Sequence, residues 1–159
     1  MPDKELDTKR AALIQGLQED LAREYKAIIQ YVIYSQALDG AKYLDIASEL
    51  EIHAHEELDH AIAISKQLDY FGVYPTEVPK KVETPEDNEG MLWADLRAED
   101  ETVAEYRKRI MQAQEIGEYA LAEILQEITK QEQDHQIDLA AALGIVADPR
   151  SRKETGPRG

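Results

Sequence analysis

The sequence predicts an all-α protein, a four-helix bundle with one long crossover between helices two and three. Apolar residues recur at spacings of three and four over four long segments, which is typical of amphipathic helices. The motif Glu-x-x-His occurs at residues 57–60 and again at residues 132–135. A long, proline-containing connection separates the second and third segments. The bundle is therefore expected to consist of two similar helical hairpins joined by that connection.

The apolar stripes and the residues that end them place each element. The first stripe ends at the Asp39-Gly40 turn, the second before Gly72 and the fourth before Gly144, where glycine is favoured after a helix. The connection at residues 72–89 contains three prolines and no sustained periodicity. The predicted helices span residues 6–38, 41–71, 91–116 and 118–143.

The repeat extends beyond the two motifs. Moving the first half of the chain along until the two motifs coincide brings other residues of the same type into register: Glu24 with Glu99, Tyr31 with Tyr106, Asp20 with Asp95, and several pairs of leucines. Each predicted hairpin therefore holds one glutamate on its first helix and Glu-x-x-His on its second.

Length and composition indicate one soluble domain. The 159 residues suffice for one core, and we expect a bundle at 1–144 followed by a polar, disordered tail at 145–159. The chain contains no cysteine, which excludes disulfides and thiolate metal sites. A net charge of −15 disfavours nucleic acid and anionic membranes and favours cations. The sequence opens without a signal-peptide pattern, so a cytoplasmic location is expected.

Helix geometry predicts that the repeated acidic residues meet. Glu24 and Glu57 lie equally far in sequence from the turn that joins their helices, and Glu99 and Glu132 do likewise. All four then lie about 25 Å from the turns, at mid-bundle. A dyad between the hairpins requires helices two and three to run parallel, and about 18 extended residues are long enough to connect them.

The charge of this cluster predicts a metal site. Four buried carboxylates without compensation would cost more than a domain can tolerate. Two divalent cations neutralise four carboxylates, and hard oxygen donors with some imidazole suit iron or manganese. Glutamate and histidine three residues apart lie on the same side of a helix. The predicted ligands are Glu24, Glu57, His60, Glu99, Glu132 and His135.

With these residues, the sequence resembles the ferritin-like superfamily and is most similar to bacterioferritins. The resemblance runs from about Leu17 to Leu143 and includes the crossover length and the stretch from Met91 to Glu99. The ligand set is the one that the carboxylate-bridged di-metal bundles use. The resemblance implies a ferroxidase centre with two iron ions per subunit, which oxidises Fe(II) with dioxygen or hydrogen peroxide.

The resemblance also implies roles for individual residues and for the assembly. Glu57 and Glu132 are expected to bridge the two metal ions, and Glu24 and Glu99 to bind one ion each. Tyr31 is at the position of a bacterioferritin tyrosine that can give up an electron. A homo-oligomeric shell that stores the Fe(III) mineral is expected.

Two departures from the bacterioferritin pattern qualify this picture. Bacterioferritins have a haem-binding methionine directly after the second-helix glutamate, whereas this chain has Leu58, so haem is not expected. The region after Gly144 is too polar and proline-broken for the short fifth helix of larger shells. A twelve-subunit shell, or no shell, is therefore as compatible with the sequence as a twenty-four-subunit one.

Several alternatives remain open at this point. His53 is either an additional ligand or a hydrogen-bonded core histidine, and Asp20 and Asp95 either bond the ligand histidines or lie on the surface. The function is iron storage, or a non-storage di-iron or di-manganese oxidase or peroxidase of the rubrerythrin-like type. The basic tail leaves room for a DNA-protecting miniferritin, and a metal-free structural bundle is the last alternative.

Overall fold

A computed structural model of the chain, which describes residues 3–153, confirms an all-α bundle of four long helices. These helices are α1 (Lys4–Ala37), α2 (Leu44–Tyr70), α3 (Asn88–Glu115) and α4 (Tyr119–Leu143). Two short 3-10 helices span Ala41–Tyr43, between α1 and α2, and Pro149–Ser151, after α4. No helix in the described part of the chain is long and apolar enough to cross a bilayer.

Local chemistry accounts for the helix ends. The Asp3 side chain accepts hydrogen bonds from the backbone N–H groups of Glu5 and Leu6, and so caps α1. Asp87 caps α3 in the same way, by accepting from the N–H of Gly90. Gly144 ends α4 with a φ of 69°, a left-handed conformation that glycine adopts without steric cost.

The long connection allows α2 and α3 to run parallel, as the sequence predicts. Asp20 and Arg109 are in contact at one height and Gln30 and Asp95 at another, so α1 and α3 are antiparallel. Since α2 is antiparallel to α1 in its own hairpin, α2 and α3 share one direction. Residues 72–87 lie along α1, where Gln18 accepts a hydrogen bond from the Thr76 N–H.

The core consists of two apolar clusters separated by a polar layer. One cluster, near the α3–α4 turn, includes Leu13, Leu17, Leu21, Ile64, Leu68, Leu121 and Leu125. The other, at the opposite end of the bundle, includes Tyr31, Tyr34, Leu50, Leu92, Leu96 and Leu139. On every helix, the glutamates and histidines of the predicted metal site fall between residues of these two clusters.

The described part of the tail lies against the bundle. Asp148 caps the 3-10 helix Pro149–Ser151, and the guanidinium of Arg152 pairs with Asp100 on α3 at 2.5 Å. The prediction of a disordered tail from residue 145 also covers residues 154–159, which lie outside the described residues. The domain boundary at residue 144 stays a prediction.

Candidate metal centre

Six acidic and imidazole side chains converge in the polar layer between the two apolar clusters. Each long helix contributes one or two of them, and none exposes more than 4% of its surface. The six are Glu24 from α1, Glu57 and His60 from α2, Glu99 from α3, and Glu132 and His135 from α4. The structure therefore brings together all six of the residues that the sequence singles out as ligands.

The six side chains form two groups of four that share two glutamates. One group consists of Glu24, Glu57, His60 and Glu132, and the other of Glu57, Glu99, Glu132 and His135. In each group, one potential ligand atom from every residue lies within 4.8 Å of all the others. Because Glu57 and Glu132 belong to both groups, each of them could contact two ions at once.

Each histidine is crowded by carboxylate oxygens on the side that faces the centre. His60 Nδ1 lies 2.7 Å from Glu132 Oε1 and 3.1 Å from Glu57 Oε2. His135 Nδ1 lies 2.8 Å from Glu57 Oε1 and 3.5 Å from Glu99 Oε1. The two imidazoles thus contact different oxygens of the shared Glu57.

Many of these buried polar atoms have no hydrogen-bond partner among the described residues. They include both carboxylate oxygens of Glu132, one oxygen each of Glu24, Glu57 and Glu99, and both ring nitrogens of His135. Buried polar atoms are nearly always hydrogen-bonded, and unmatched ones call for an ion or water. These oxygens and nitrogens lie close together but form no hydrogen bonds with one another. They therefore fit the donor set of two metal ions.

Two tyrosines hold the outer carboxylates in place. The Tyr31 hydroxyl donates to Glu99 Oε1 over 2.6 Å, and the Tyr106 hydroxyl donates to Glu24 Oε1. Both tyrosines are buried, and they occupy equivalent positions in the two halves of the repeat. Tyr31 also lies edge-on to the ring of His135, with centroids 5.8 Å apart.

The outer nitrogen of His60 has a hydrogen-bond partner that sequence reasoning missed, because His60 Nε2 donates to Gln131 Oε1 over 2.5 Å. Glu56 takes the equivalent place beside His135, but its Oε1 lies 3.7 Å from His135 Nε2, which is too far for a hydrogen bond. Glu56 and Gln131 directly precede the two equivalent glutamates of the motif, Glu57 and Glu132. Their equivalent positions in the repeat are the sequence feature from which they could have been identified. Such partners orient a ligand histidine and select its tautomer.

Asp20 and Asp95 were expected either to bond the ligand histidines or to lie on the surface, and both expectations were wrong. Both carboxylates are buried, and neither bonds a ligand histidine. Asp20 accepts from Arg23 at 2.5 Å and from Arg109 at 2.7 Å, whereas Asp95 accepts from Gln30 at 3.1 Å. These aspartates instead link α1 to α3, because a buried carboxylate requires a charged or polar partner.

His53 lies beside the centre without belonging to either group of four. It is buried, its Nε2 lies 3.0 Å from Asp138 Oδ2, and its ring stacks on that of His135 with centroids 4.0 Å apart. Burial and the neighbouring His135 lower the pKa of His53 to about 4. Its ring is therefore neutral near pH 7.

In the metal-free chain, protons supply the missing positive charge. Burial and the adjacent carboxylates of Glu132 and Glu24 raise the pKa of Glu57 well above its ordinary value. Burial opposes charge on His135, but its contacts with Glu132 and Glu99 outweigh burial and raise its pKa to about 11. The pKa of His60 is raised for the same reason. His60 and His135 are thus both cationic at neutral pH in the metal-free chain.

Comparison with known proteins places this geometry in a family. The ferritin-like domain matches residues 14–147. The bacterioferritin of Desulfovibrio desulfuricans is 27% identical over 130 residues, which cover 81% of this chain and 73% of that protein. The bacterioferritin of Brucella melitensis biotype 1 is 24% identical over 139 residues, covering 83% and 86%.

Solved structures agree with the sequence comparison. A ferritin-like, diiron-carboxylate protein from Bacillus anthracis str. Ames superposes with a TM-score of 0.81 at 30% identity, over 89% of this chain and 99% of that one. A dodecameric thioferritin, a bacterioferritin-related protein from Bacteroides fragilis, superposes with a TM-score of 0.78 at 24% identity, over 87% and 89%, and supports the fold alone. Since the family match spans most of the chain, this protein belongs to the ferritin-like superfamily, close to the bacterioferritins.

Proposed function

We propose that the protein is a ferroxidase, which oxidises Fe(II) to Fe(III) with dioxygen or hydrogen peroxide. The observation that carries this proposal is the pair of four-residue groups that share Glu57 and Glu132. In the proposed site these two glutamates bridge the two iron ions. Glu24 and His60 complete the contacts to one ion, and the remaining pair of ligands completes those to the other.

The charge and donor types of the site suit this chemistry. Four carboxylates balance two divalent ions, and oxygen donors with imidazole accept iron or manganese. Two Fe(II) ions give up two electrons, which with two protons reduce dioxygen to hydrogen peroxide or hydrogen peroxide to water. Oxidation adds two positive charges to the site, which favours uptake of an oxide or hydroxide ion.

The two ligand histidines link metal binding to proton release. Each carries a proton in the metal-free chain because its carboxylate contacts raise its pKa. A metal ion binds the neutral imidazole, so His60 and His135 must each lose one proton when the ions bind. The positively charged imidazolium groups and the metal ions therefore compete for contact with the same four carboxylates.

Tyr31 is the proposed internal electron donor when dioxygen is reduced to two waters, which takes four electrons and four protons. Two electrons then come from the two Fe(II) ions of the centre, one from a further Fe(II) ion and one from Tyr31. Burial raises its pKa well above the ordinary value, so the resting side chain is the neutral phenol. Loss of an electron from a phenol is accompanied by loss of its proton, and Glu99 Oε1 at 2.6 Å is placed to accept that proton. Tyr106 has an equivalent hydrogen bond to Glu24, but Tyr31 alone of the two lies edge-on to His53 and His135.

Storage of the product inside a homo-oligomeric shell is the second part of the proposal. The related thioferritin from Bacteroides fragilis is dodecameric. On this chain, α1 and α2 expose Val32, Leu58 and Ile62 to 51%, 47% and 59%. Val32 and Leu58 border one groove, and clustered exposed apolar residues are typical of contact surfaces. Leu58 offers no sulfur to a haem iron, so haem is not part of the proposal.

The remaining alternatives are separated by specific features. A rubrerythrin-like oxidase or peroxidase would use the same centre without a shell, so the assembly state decides between the two. Two observations oppose the DNA-protecting alternative. Arg152 of the basic tail is paired with Asp100, and the net charge of −15 repels the phosphates of DNA. The cytoplasmic location stays a prediction.

Substitution of the shared glutamates tests the ferroxidase activity. We expect Glu57→Ala and Glu132→Ala each to lower the initial rate of Fe(II) oxidation by at least about tenfold, because each removes a ligand of both ions. Oxidation is followed by absorbance of the Fe(III) product. Glu101→Ala, which removes an exposed carboxylate of α3, serves as the control and should oxidise Fe(II) like the parent. Unchanged rates in both site variants would instead indicate a metal-free structural bundle.

Proton release tests the coupling between metal and imidazole. Because the pKa values of His60 and His135 are raised, both are protonated at pH 7, and metal affinity should rise as the pH rises. Adding Zn²⁺ to weakly buffered protein should release at least two protons for each pair of ions bound, one from each histidine, and any further proton from Glu57, whose pKa is also raised. A pH-stat measures this number, and Glu132→Ala should reduce it. Binding of two ions without proton release would contradict the assignment.

A matched pair of tyrosine variants tests the electron donor. Freeze-quenched samples of protein mixed with Fe(II) and dioxygen should contain a tyrosyl radical signal in electron paramagnetic resonance. We expect Tyr31→Phe to abolish this signal and Tyr106→Phe, which removes the equivalent hydroxyl in the other hairpin, to retain it. A signal that survives in Tyr31→Phe would rule Tyr31 out as the donor.

Mass in solution tests the shell. Native mass spectrometry or light scattering should give a closed assembly of many subunits that takes up many more than two iron atoms per chain. A charge introduced by Leu58→Lys should dissociate this assembly, whereas Gln126→Lys at an exposed polar position of α4 should leave it intact. A parent protein that stays monomeric or dimeric and consumes peroxide without accumulating iron would favour the non-storage enzyme.

A further inference from the structure

A third group of potential metal ligands lies outside the two groups of the candidate centre. It consists of Glu49 and His53 on α2 and Asp138 on α4, with one ligand atom from each within 4.8 Å of the others. His53 Nε2 and Asp138 Oδ2 are 3.0 Å apart. The two carboxylates and one imidazole come from facing helices and converge on one point.

This group connects solvent with the centre. Glu49 is exposed and the Asp138 side chain is 40% exposed, so its outer end is open to water. His53 is only 1% exposed and forms the inner end, where its ring stacks on the ligand histidine His135 with centroids 4.0 Å apart. An ion held by this group would lie between the surface and the second ion of the centre.

Packing alone does not account for polar residues at these positions. In the other half of the repeat, Glu49 corresponds to Ile124, His53 to Ile128 and Asp138 to Ala63. Those three apolar residues border the cleft beside His60, in the place equivalent to the group beside His135. The fold therefore accepts apolar side chains at all three positions.

The polar set carries a cost that the apolar set avoids. A buried imidazole must be desolvated, and Nδ1 of His53 has no hydrogen-bond partner among the described residues. The contact with Asp138 satisfies only the other ring nitrogen. A function for the group, rather than stability, explains why the repeat is broken at these three positions together.

We propose that Glu49, His53 and Asp138 form a third divalent-metal site beside the centre. One imidazole and two carboxylates suit Fe²⁺, Mn²⁺ or Zn²⁺. Three protein ligands and a solvent-facing side leave coordination positions for water, so the ion exchanges more readily than ions in the enclosed centre. Its use as a staging position for ions that move to or from His135 rests on the proposed function, whereas the binding itself does not.

The number of ions bound per chain tests this site. Native mass spectrometry of the intact assembly in Zn²⁺, which is not oxidised, should show one fewer bound ion per chain for Asp138→Asn and for Glu49→Gln than for the parent. Both residues face solvent, so neither change disturbs the core. Glu123→Gln removes one charge from an exposed position of the same helix as Asp138 and should bind as many ions as the parent. Equal counts for parent, Asp138→Asn and Glu49→Gln would overturn the proposal.

The difference between parent and variant keeps this test separate from the ferroxidase proposal. If the loss of one ion occurs and no iron oxidation is found, the third site stands and the proposed function falls. If oxidation proceeds and the count does not change, the proposed function stands and the third site falls. Glu57→Ala removes a ligand that both groups of the centre share. The double variant Glu57→Ala, Asp138→Asn should bind one ion fewer per chain than Glu57→Ala alone.

Discussion

The bundle depends on one electrostatic constraint, the presence of four carboxylates between two apolar clusters. Glu57 and Glu132 expose none of their surface, and Glu24 and Glu99 almost none. An uncompensated buried charge costs several kcal/mol, which is comparable to the net stability of about 5–15 kcal/mol that a domain has in total. The chain needs compensating charge at this point, and it comes either from protons on His60, His135 and Glu57, whose pKa values are all raised, or from metal ions.

This constraint explains how the rest of the molecule is arranged. The apolar clusters above and below the polar layer supply the stability that allows a charged centre, and the long connection along α1 allows the two hairpins to face each other. The repeat then gives each outer carboxylate a tyrosine, Tyr31 for Glu99 and Tyr106 for Glu24. The result is a nearly symmetric arrangement of oxygen and nitrogen donors around the two shared glutamates.

The repeat is broken at informative places. Asp20 is held by two arginines, whereas its equivalent Asp95 is held by Gln30. Beside His135 lie Glu49, His53 and Asp138, whereas the equivalent positions beside His60 hold Ile124, Ile128 and Ala63. The two halves thus keep equivalent candidate ligands but differ in the side chains that surround those ligands.

Much of this arrangement could be predicted from the sequence because helix geometry is regular. The i, i+3 spacing of Glu57 and His60 places both on one side, and the equal distances of Glu24 and Glu57 from their turn place them at one height. The partners of buried side chains were not predictable in this way. His53 and Asp138 are 85 residues apart, and their contact depends on how α2 and α4 pack. The roles of Asp20 and Asp95 depend in the same way on the packing of α1 against α3.

Anomalous diffraction from crystals grown with Fe(II) or Mn(II) tests the central claim most directly. The account predicts two strong peaks inside each bundle, both in contact with Glu57 and Glu132, one of them also with His60 and the other with His135. A map with no peak among these carboxylates, in a protein that remains folded with all four of them buried, would contradict it.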